Sequence, residues 1–188
     1  MAGMTHAALV VSEAMSNSSH PGGTGNGDWW ELYNSGPSAV DLTGYYWRDA
    51  GHLTEKAIFP DGLIIQPGED NAICIVDENS DNIEQWASNV WGISPSQAVS
   101  KDEFTGDDDF FGLSADGDTI FVYNGSDVLV ASNTFGYRET GHTFAWDANN
   151  GYLGISTAGF FGAYTALSNG DGGPGTDNKD KSLDEVEY

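Results

Sequence analysis

The chain has 188 residues, of which 39% are hydrophobic, so it is long enough to build one domain around its own core. It carries 29 Asp and Glu residues against 6 Lys and Arg, which gives a formal net charge of -23. Such a surface repels phosphate backbones, because nucleic-acid binding depends on Lys and Arg, so nucleic acid is not expected as a partner. Two interpretations of the acidity stay open: solubility in a salty medium, or acidic loops that hold a divalent cation.

The N-terminal residues lack the basic and long apolar segments of an intact signal peptide. Residues 1–8 are predicted to be the remnant of an export leader or an added expression start, because residues 5–8 resemble the small-residue end of a cleavage site. No run of 18 apolar residues is present, so no membrane span is expected. The expected location is therefore extracellular, either secreted or at the cell surface.

Short strands dominate the first half of the chain. Residues 9–15 read as an opening strand, and the aromatic tracts 28–34 and 42–47 read as two more. The single cysteine, Cys74, lies in the apolar run 72–76, so a buried and inert thiol is predicted in a further strand. These segments carry too many aromatic residues for a solvent-washed surface and indicate a small β-sandwich.

The second half contains a helix, a hairpin and a polar end. Ile83, Trp86 and Val90 have the three- and four-residue spacing of one helical face, which predicts a short helix over 82–91. Residues 118–130 predict a hairpin with a type I′ turn at Asn124-Gly125. Residues 143–146 predict a last strand. Beyond Ala166 the sequence is mostly Gly, Asp, Asn, Lys and Ser, and irregular chain is expected.

The order of these pieces resembles the lamin tail domain family. The segments that carry the resemblance are, in chain order, 10–14, 30–34, 40–45, 66–68, 86–92, 111–120 and 172–175. The resemblance implies an all-β, immunoglobulin-like β-sandwich over 9–166, with one short helix and a polar, Gly/Asp-rich C-terminal arm at 167–188. It also implies an exported bacterial module that accompanies enzymes without being catalytic. A nuclear filament role does not carry over, because the chain has no heptad rod and no basic localisation cluster.

Aromatic residues at alternating strand positions provide the candidate ligand-binding surface. Successive side chains of a strand point to opposite faces, so we expect Trp30, Leu32 and Tyr46 to face the core. The outward set is then Trp29, Tyr33, Tyr45 and Trp47. Outward aromatic rings stack on sugar rings, and Trp29, Tyr45 and Trp47 are the predicted carbohydrate platform. The alternative is that loops and the C-terminal arm cover these rings.

Two acidic loops are candidate calcium sites. Asp77, Asn79 and Asp81 place oxygen ligands at alternate positions, as the start of an EF-hand loop does. The match then fails, because Asn82 replaces the glycine and Ser88 replaces the glutamate of that motif. A looser Ca²⁺ site is expected there or at Asp107 and Asp109, and a solvated acidic loop is the alternative in each case.

Glu13 and Glu31 lie on neighbouring predicted strands. Their simplest role is to accept hydrogen bonds from loop backbone or to pair with Arg48. The alternative is a carboxylate pair for acid–base chemistry, with Asp28 as a third candidate, but no sequence feature supplies a cleft or a separation. We therefore expect a non-enzymatic binding or adhesion module with an extracellular polysaccharide or protein partner. The other hypothesis is a self-associating surface or filament subunit built by sheet-edge pairing.

Overall fold

A computed structural model of the chain describes residues 9–18, 27–107, 110–147, 149, 151–160, 163–168 and 175–179. The strands in this part of the chain are β1 (Leu9–Met15), β2 (Trp29–Asn34), β3 (Val40–Asp41), β4 (Tyr46–Arg48), β5 (Ala57–Ile58), β6 (Ile64–Ile65), β7 (Ile73–Val76), β8 (Ala98–Ser100), β9 (Thr105–Gly106), β10 (Asp118–Tyr123), β11 (Leu129–Phe135), β12 (Phe144–Trp146), β13 (Tyr152–Ile155), β14 (Tyr164–Thr165) and β15 (Asn178–Lys179). A π-helix spans Gln85–Trp91, and 3₁₀ turns span Glu69–Asn71, Ser80–Asn82, Pro95–Gln97 and Lys101–Glu103.

Two stacked sheets form the sandwich. The six-stranded sheet has the order β13-β12-β1-β2-β7-β8, and the five-stranded sheet has the order β11-β10-β4-β5-β9. Neighbours are antiparallel except β7 and β8, which are parallel. Two small ribbons, β3 with β6 and β14 with β15, complete the described part. The expected all-β, immunoglobulin-like sandwich with one short helix is confirmed.

The inner core lies between the two large sheets and follows the alternation of the strands. Trp30 and Leu32 of β2 point into it and are fully buried. The Trp30 ring lies 5.2 Å from the Trp47 ring, and Phe59 packs edge-on against Trp30 at 6.4 Å. Aromatic pairs at such separations stabilise a core beyond the area they bury.

The opposite side of the six-stranded sheet, called the outer face below, is also covered. It carries Glu13, Met15, Trp29, Glu31 and Cys74, and the π-helix and the C-terminal chain lie over it. This double cover explains why every residue of β1 and β7 is buried.

The predicted helix is present, but it is wound as a π-helix. Its five-residue repeat brings Trp86 and Trp91 to the same side, where both contact the ring of Trp29, at 5.8 and 5.3 Å. Gly92 ends the helix with a φ of 70°, a left-handed conformation that favours glycine. A Cβ at Gly92 would also lie only 2.8 Å from the Leu167 side chain.

The predicted hairpin is confirmed between β10 and β11, but its turn type differs. The carbonyl of Asn124 accepts from the N–H of Asp127, and Asp127 has a φ of 58°. The loop is therefore a type I turn closed by a left-handed residue, and the predicted type I′ turn is wrong. The Asn124 side-chain oxygen also accepts from the N–H groups of Ser126 and Val128, which holds this longer turn in place.

The end of the chain is more ordered than its composition predicts. β12 confirms the last predicted strand, yet β13, β14 and β15 follow it, and β15 lies beyond the sandwich boundary expected at 166. We call residues 175–179 the C-terminal strap. In it Asp177, Asn178 and Lys179 are all buried and the last two form β15, so the expectation of irregular chain is wrong for this segment. The predicted leader remnant at 1–8 lies outside the described residues.

Candidate functional site

The predicted aromatic platform is not on the surface. Trp29 and Trp47 are each 0% exposed, and Tyr45 is half-buried against the inner core. Trp47 points inward, where it contacts Phe110 at 5.1 Å, and Trp29 points outward but lies beneath the π-helix. The prediction that these rings face solvent is therefore wrong for both tryptophans. Trp47 lies in the core between the sheets, and for Trp29 the alternative is confirmed, because the π-helix and the C-terminal chain cover it. Whether the chain binds polysaccharide elsewhere stays a prediction.

The outer face holds a buried polar cluster instead. Glu13 and Glu31 are direct cross-strand partners of β1 and β2. Glu13 accepts a hydrogen bond from Thr143 at 2.6 Å, and Glu31 accepts one from Ser12 at 2.7 Å. The expected pairing with Arg48 is not found, since Arg48 donates to Tyr123 on the other sheet.

The cation beside these carboxylates is Lys179 of the C-terminal strap. Its side chain is 5% exposed, and its Nζ lies 3.2 Å from Glu31 Oε2 and 3.4 Å from Cys74 Sγ. The Trp29 ring lies 5.0 Å from the same nitrogen, within cation–π range. Lys179 was missed by sequence reasoning, because nothing in a Gly- and Asp-rich segment marks one lysine as buried.

Burial and charge act in opposite directions on this cluster. Burial alone lowers the pKa of Lys179, but negative charge on Cys74, when that thiol is ionised, and on Glu31 holds the pKa well above its ordinary value. Burial raises the pKa of the Cys74 thiol to about 12, so this cysteine is protonated and inert at neutral pH, as predicted. Burial likewise raises the pKa of Tyr164 to about 12. Lys179 therefore stays charged at neutral pH, while its two neighbours stay neutral.

A cleft of about 580 Å³ opens beside the cluster. Its walls include Glu31, Asp70, Trp91, Tyr164 and Lys179. The Tyr164 hydroxyl donates to the Trp91 carbonyl at 3.3 Å, which ties β14 to the end of the π-helix. The cleft gives small molecules a route to the edge of the cluster.

A second cleft, called the edge cleft below, follows the border strand β13. It has a volume of about 330 Å³, and its walls include Leu153, Ile155, Phe160 and Ala163. Phe160 is 63% exposed, and Tyr152, at the start of the same strand, is 56% exposed. No strand of the described residues pairs with the outer side of β13. Sequence reasoning missed this surface, because the open edge depends on sheet order and not on local pattern.

A third cleft is lined by carboxylates. Asp28, Asp49 and Asp118 border a space of about 580 Å³ beneath the loop that carries Leu113. Burial raises the pKa of Asp28 to about 6, and the nearby charges of Asp77 and Asp118 add to the effect. The Leu113 N–H donates to Asp28 at 2.8 Å and opposes the shift. Asp28 therefore has a different role from Glu13 and Glu31. It holds the loop of Leu113, whereas Glu31 pairs with Lys179 of the strap and Glu13 accepts from Thr143.

The predicted calcium ligands are spread over separate contacts. Asp77 pairs with Lys101 at 2.8 Å, and Asp107 accepts from the Lys56 N–H at 3.0 Å. Asp81 is exposed in a 3₁₀ turn that follows Asn79, and Asp109 lies outside the described residues. Within the described ranges, no three His, Cys, Asp or Glu side chains are grouped to hold a metal ion. Calcium binding stays a prediction.

Two stacked sheets with a helix across one outer face define the chain as an immunoglobulin-like β-sandwich module. The Lamin Tail Domain family model matches residues 3–151, which is most of the chain, and the chain belongs to that family. The resemblance inferred from its motifs is therefore confirmed. No curated protein matches the chain. No helix in the described segments is long and apolar enough to cross a membrane.

The family match places the two halves of the outer-face cluster in different parts of the chain. Glu13, Glu31 and Trp29 lie inside the matched region, whereas Tyr164 and Lys179 lie beyond its end at residue 151. The strap thus covers one face of the sandwich from outside the matched region.

Proposed function

We propose that this chain is a non-catalytic binding module that contacts its ligand at the edge cleft. The observation that supports this proposal is an apolar cleft bordered by a highly exposed aromatic ring, Phe160, at an unpaired strand. Exposed aromatic side chains beside a concave apolar surface are common features of ligand sites. Lamin tail domains are immunoglobulin-like modules, and this supports a binding or structural role over an enzymatic one.

The ligand that we propose first is an extracellular polysaccharide, and the module is proposed to be secreted or held at a cell surface. Phe160 and Tyr152 offer apolar ring faces on which sugar rings stack. The hydroxyl of Thr157, on the exposed end of the cleft, is a hydrogen-bonding group for sugar hydroxyls. The formal charge of -23 supports a neutral glycan over a nucleic acid or an acidic polymer.

A glycan array followed by affinity electrophoresis tests this proposal. Phe160→Ala is expected to weaken binding to a neutral polysaccharide, which affinity electrophoresis shows as reduced retention. If Phe160 stacks on the sugar as aromatic rings stack on nucleobases, the loss of binding free energy is roughly 1–3 kcal/mol. Tyr137→Ala is the matched control, because Tyr137 is 70% exposed but is not part of this cleft. If the folded chain is retained by no polysaccharide, or if both variants are retained equally, the carbohydrate proposal fails.

Self-association is the second candidate function, and the unpaired outer side of β13 favours it. An open strand edge presents N–H and C=O groups that pair with another chain, and Leu153 and Ile155 would add apolar contacts. Light scattering over a range of concentrations tests this function. Leu153→Lys is expected to suppress any assembly, because charge on an edge opposes strand addition. A strict monomer at every concentration would exclude it.

A further inference from the structure

We propose that Lys179 and Glu31 join in an intramolecular amide bond that links the C-terminal strap covalently to β2. This inference is independent of the ligand proposed for the edge cleft. It assigns a modification site to the two residues that form the buried pair of the outer face.

The geometry holds the two reacting groups in contact. Lys179 Nζ lies 3.2 Å from Glu31 Oε2, and the side chains are 5% and 19% exposed. Ser12 donates to the other oxygen, Oε1, at 2.7 Å and so fixes the orientation of the carboxyl group. Trp29, at 5.0 Å, lies against the lysine nitrogen. The amine is therefore confined beside one carboxyl group and is itself almost fully buried.

The reaction is a condensation and needs no external reagent. A proton passes from the Lys179 ammonium to the carboxyl pair, and the neutral nitrogen then attacks Cδ of Glu31. The N–C bond forms, one C–O bond of Glu31 breaks, and the oxygen leaves as water with two protons that the amine gave up. The product is one neutral amide and one water molecule, so atoms and charge balance.

We assign the transfer of the proton to Glu13. It is the cross-strand partner of Glu31, and its charge acts on Lys179. Thr143 donates to Glu13 Oε1 at 2.6 Å, which holds the carboxyl group in position. Glu13 can accept the ammonium proton and deliver it to the leaving oxygen, the role of a general acid–base.

Two physical effects favour the amide over the ion pair. Fixing an amine against a carboxyl group gives effective molarities of roughly 10⁵–10⁸ M. Separate amine and carboxyl molecules in water cannot reach such concentrations. Burial also disfavours separate charges, and the condensation replaces two of them with a neutral group. The cleft of about 580 Å³, which borders both Glu31 and Lys179, gives the released water an exit.

The bond would add a covalent anchor to a short element that is otherwise held by hydrogen bonds and burial. β15 has two residues and pairs with β14, which is equally short. Both lie beyond the region that the family model matches. A covalent link from Lys179 to β2 would tie this segment permanently to a central strand of the sandwich.

The intact mass of the purified full-length chain tests the proposal directly. We expect a mass lower than the calculated one by a single water, and a proteolytic digest in which the peptides containing Glu31 and Lys179 run as one joined species. Two ion pairs of the same chain are internal controls. Lys56–Asp127, at 2.6 Å, and Lys101–Asp77, at 2.8 Å, are closer than the proposed pair but more exposed, and we expect their peptides to stay separate.

Two variants assign the roles. Lys179→Arg keeps the positive charge but removes the amine nucleophile, so the full calculated mass is expected. Glu13→Gln is expected to slow the loss of water by roughly 100-fold or more, because the proton carrier is removed. A folded wild-type chain at its full calculated mass overturns the proposal, as does water loss in Lys179→Arg. Water loss at the wild-type rate in Glu13→Gln overturns the role given to Glu13.

Discussion

The two faces of the six-stranded sheet are built on different principles. The inner face meets the second sheet through apolar contacts such as Trp30 with Trp47. The outer face combines a tryptophan cluster around Trp29 with the charged pair of Glu31 and Lys179. Trp29 and Trp30 are neighbours in the sequence, are equally buried, and lie in separate clusters.

The difference shows how a sandwich can carry a third layer. The inner face is closed by strands that alternate in the usual way, and its burial needs no polar partner. The outer face depends on the π-helix and on the strap, which reach it from residues 85–91 and 175–179. Buried charges are tolerated only when they are paired. The outer face can therefore be covered only by an element that supplies a partner charge, as the strap does with Lys179.

The largest expected effect comes from truncating the two neighbouring tryptophans. Trp30→Ala and Trp29→Ala should each lower the free energy of unfolding by about 3–5 kcal/mol, the usual loss for large-to-small changes in a core. We expect the two variants to lose protection from hydrogen exchange in different regions of the chain. Hydrogen exchange should show that Trp29→Ala exposes the π-helix and the strap while the hairpin of β10 and β11 stays protected. Equal loss of protection in both regions would show that the two faces unfold as one unit.

A smaller effect is expected when the Thr143 hydroxyl group, which donates to the outer-face cluster, is removed. Thr143→Val removes the donor to the buried carboxylate of Glu13 and should lower the free energy of unfolding by about 1–3 kcal/mol. Thr119→Val is the control, because its hydroxyl contacts Thr134 at an exposed position and should change stability by about 0.5 kcal/mol or less. Urea unfolding of both variants measures the difference, and equal losses would contradict the assigned role of Thr143.

The change in stability between pH 4 and pH 7 should depend on Asp28 and not on the residues of either sheet face. Its pKa is raised from 3.8 to about 6 in the folded chain, so its favourable contribution is complete below pH 4 and is lost as the pH rises through 6. The loss is on the order of 2 kcal/mol between pH 4 and pH 7. Asp28→Asn, which can still accept from Leu113, should flatten this slope in thermal unfolding. A wild-type slope in the variant would contradict the assignment.

The smallest expected effect concerns the exposed acidic loops. Millimolar CaCl₂ is expected to raise the melting temperature more than NaCl of the same ionic strength, because a bound cation relieves repulsion among neighbouring carboxylates. Asp81→Asn should reduce this difference if the loop of Asp77, Asn79 and Asp81 holds the ion. Equal shifts from the two salts would mean screening alone, and both predicted calcium loops would then be rejected.

Local patterns in the sequence determined most of the strands and the class of the fold. Alternation located the inner side of β2, with Trp30 and Leu32 in the core, because a strand repeats every two residues whatever lies beyond it. The spacing of Ile83, Trp86 and Val90 located the helix, and Asn124-Gly125 located the hairpin. The ordered motifs were sufficient to identify the lamin tail family.

Tertiary structure alone decided what lies on the outer face and at the sheet edge. Alternation also places Trp29 opposite Trp30, but it cannot decide between an exposed ring and a ring covered by the C-terminal arm. Only the structure shows that the π-helix and the strap cover Trp29. Lys179 reaches Glu31 across more than 140 positions of sequence, and no local signal encodes such a contact. The open edge of β13 has the same origin, because the order of strands in a sheet is set by long-range pairing. These are the contacts on which both proposed sites depend.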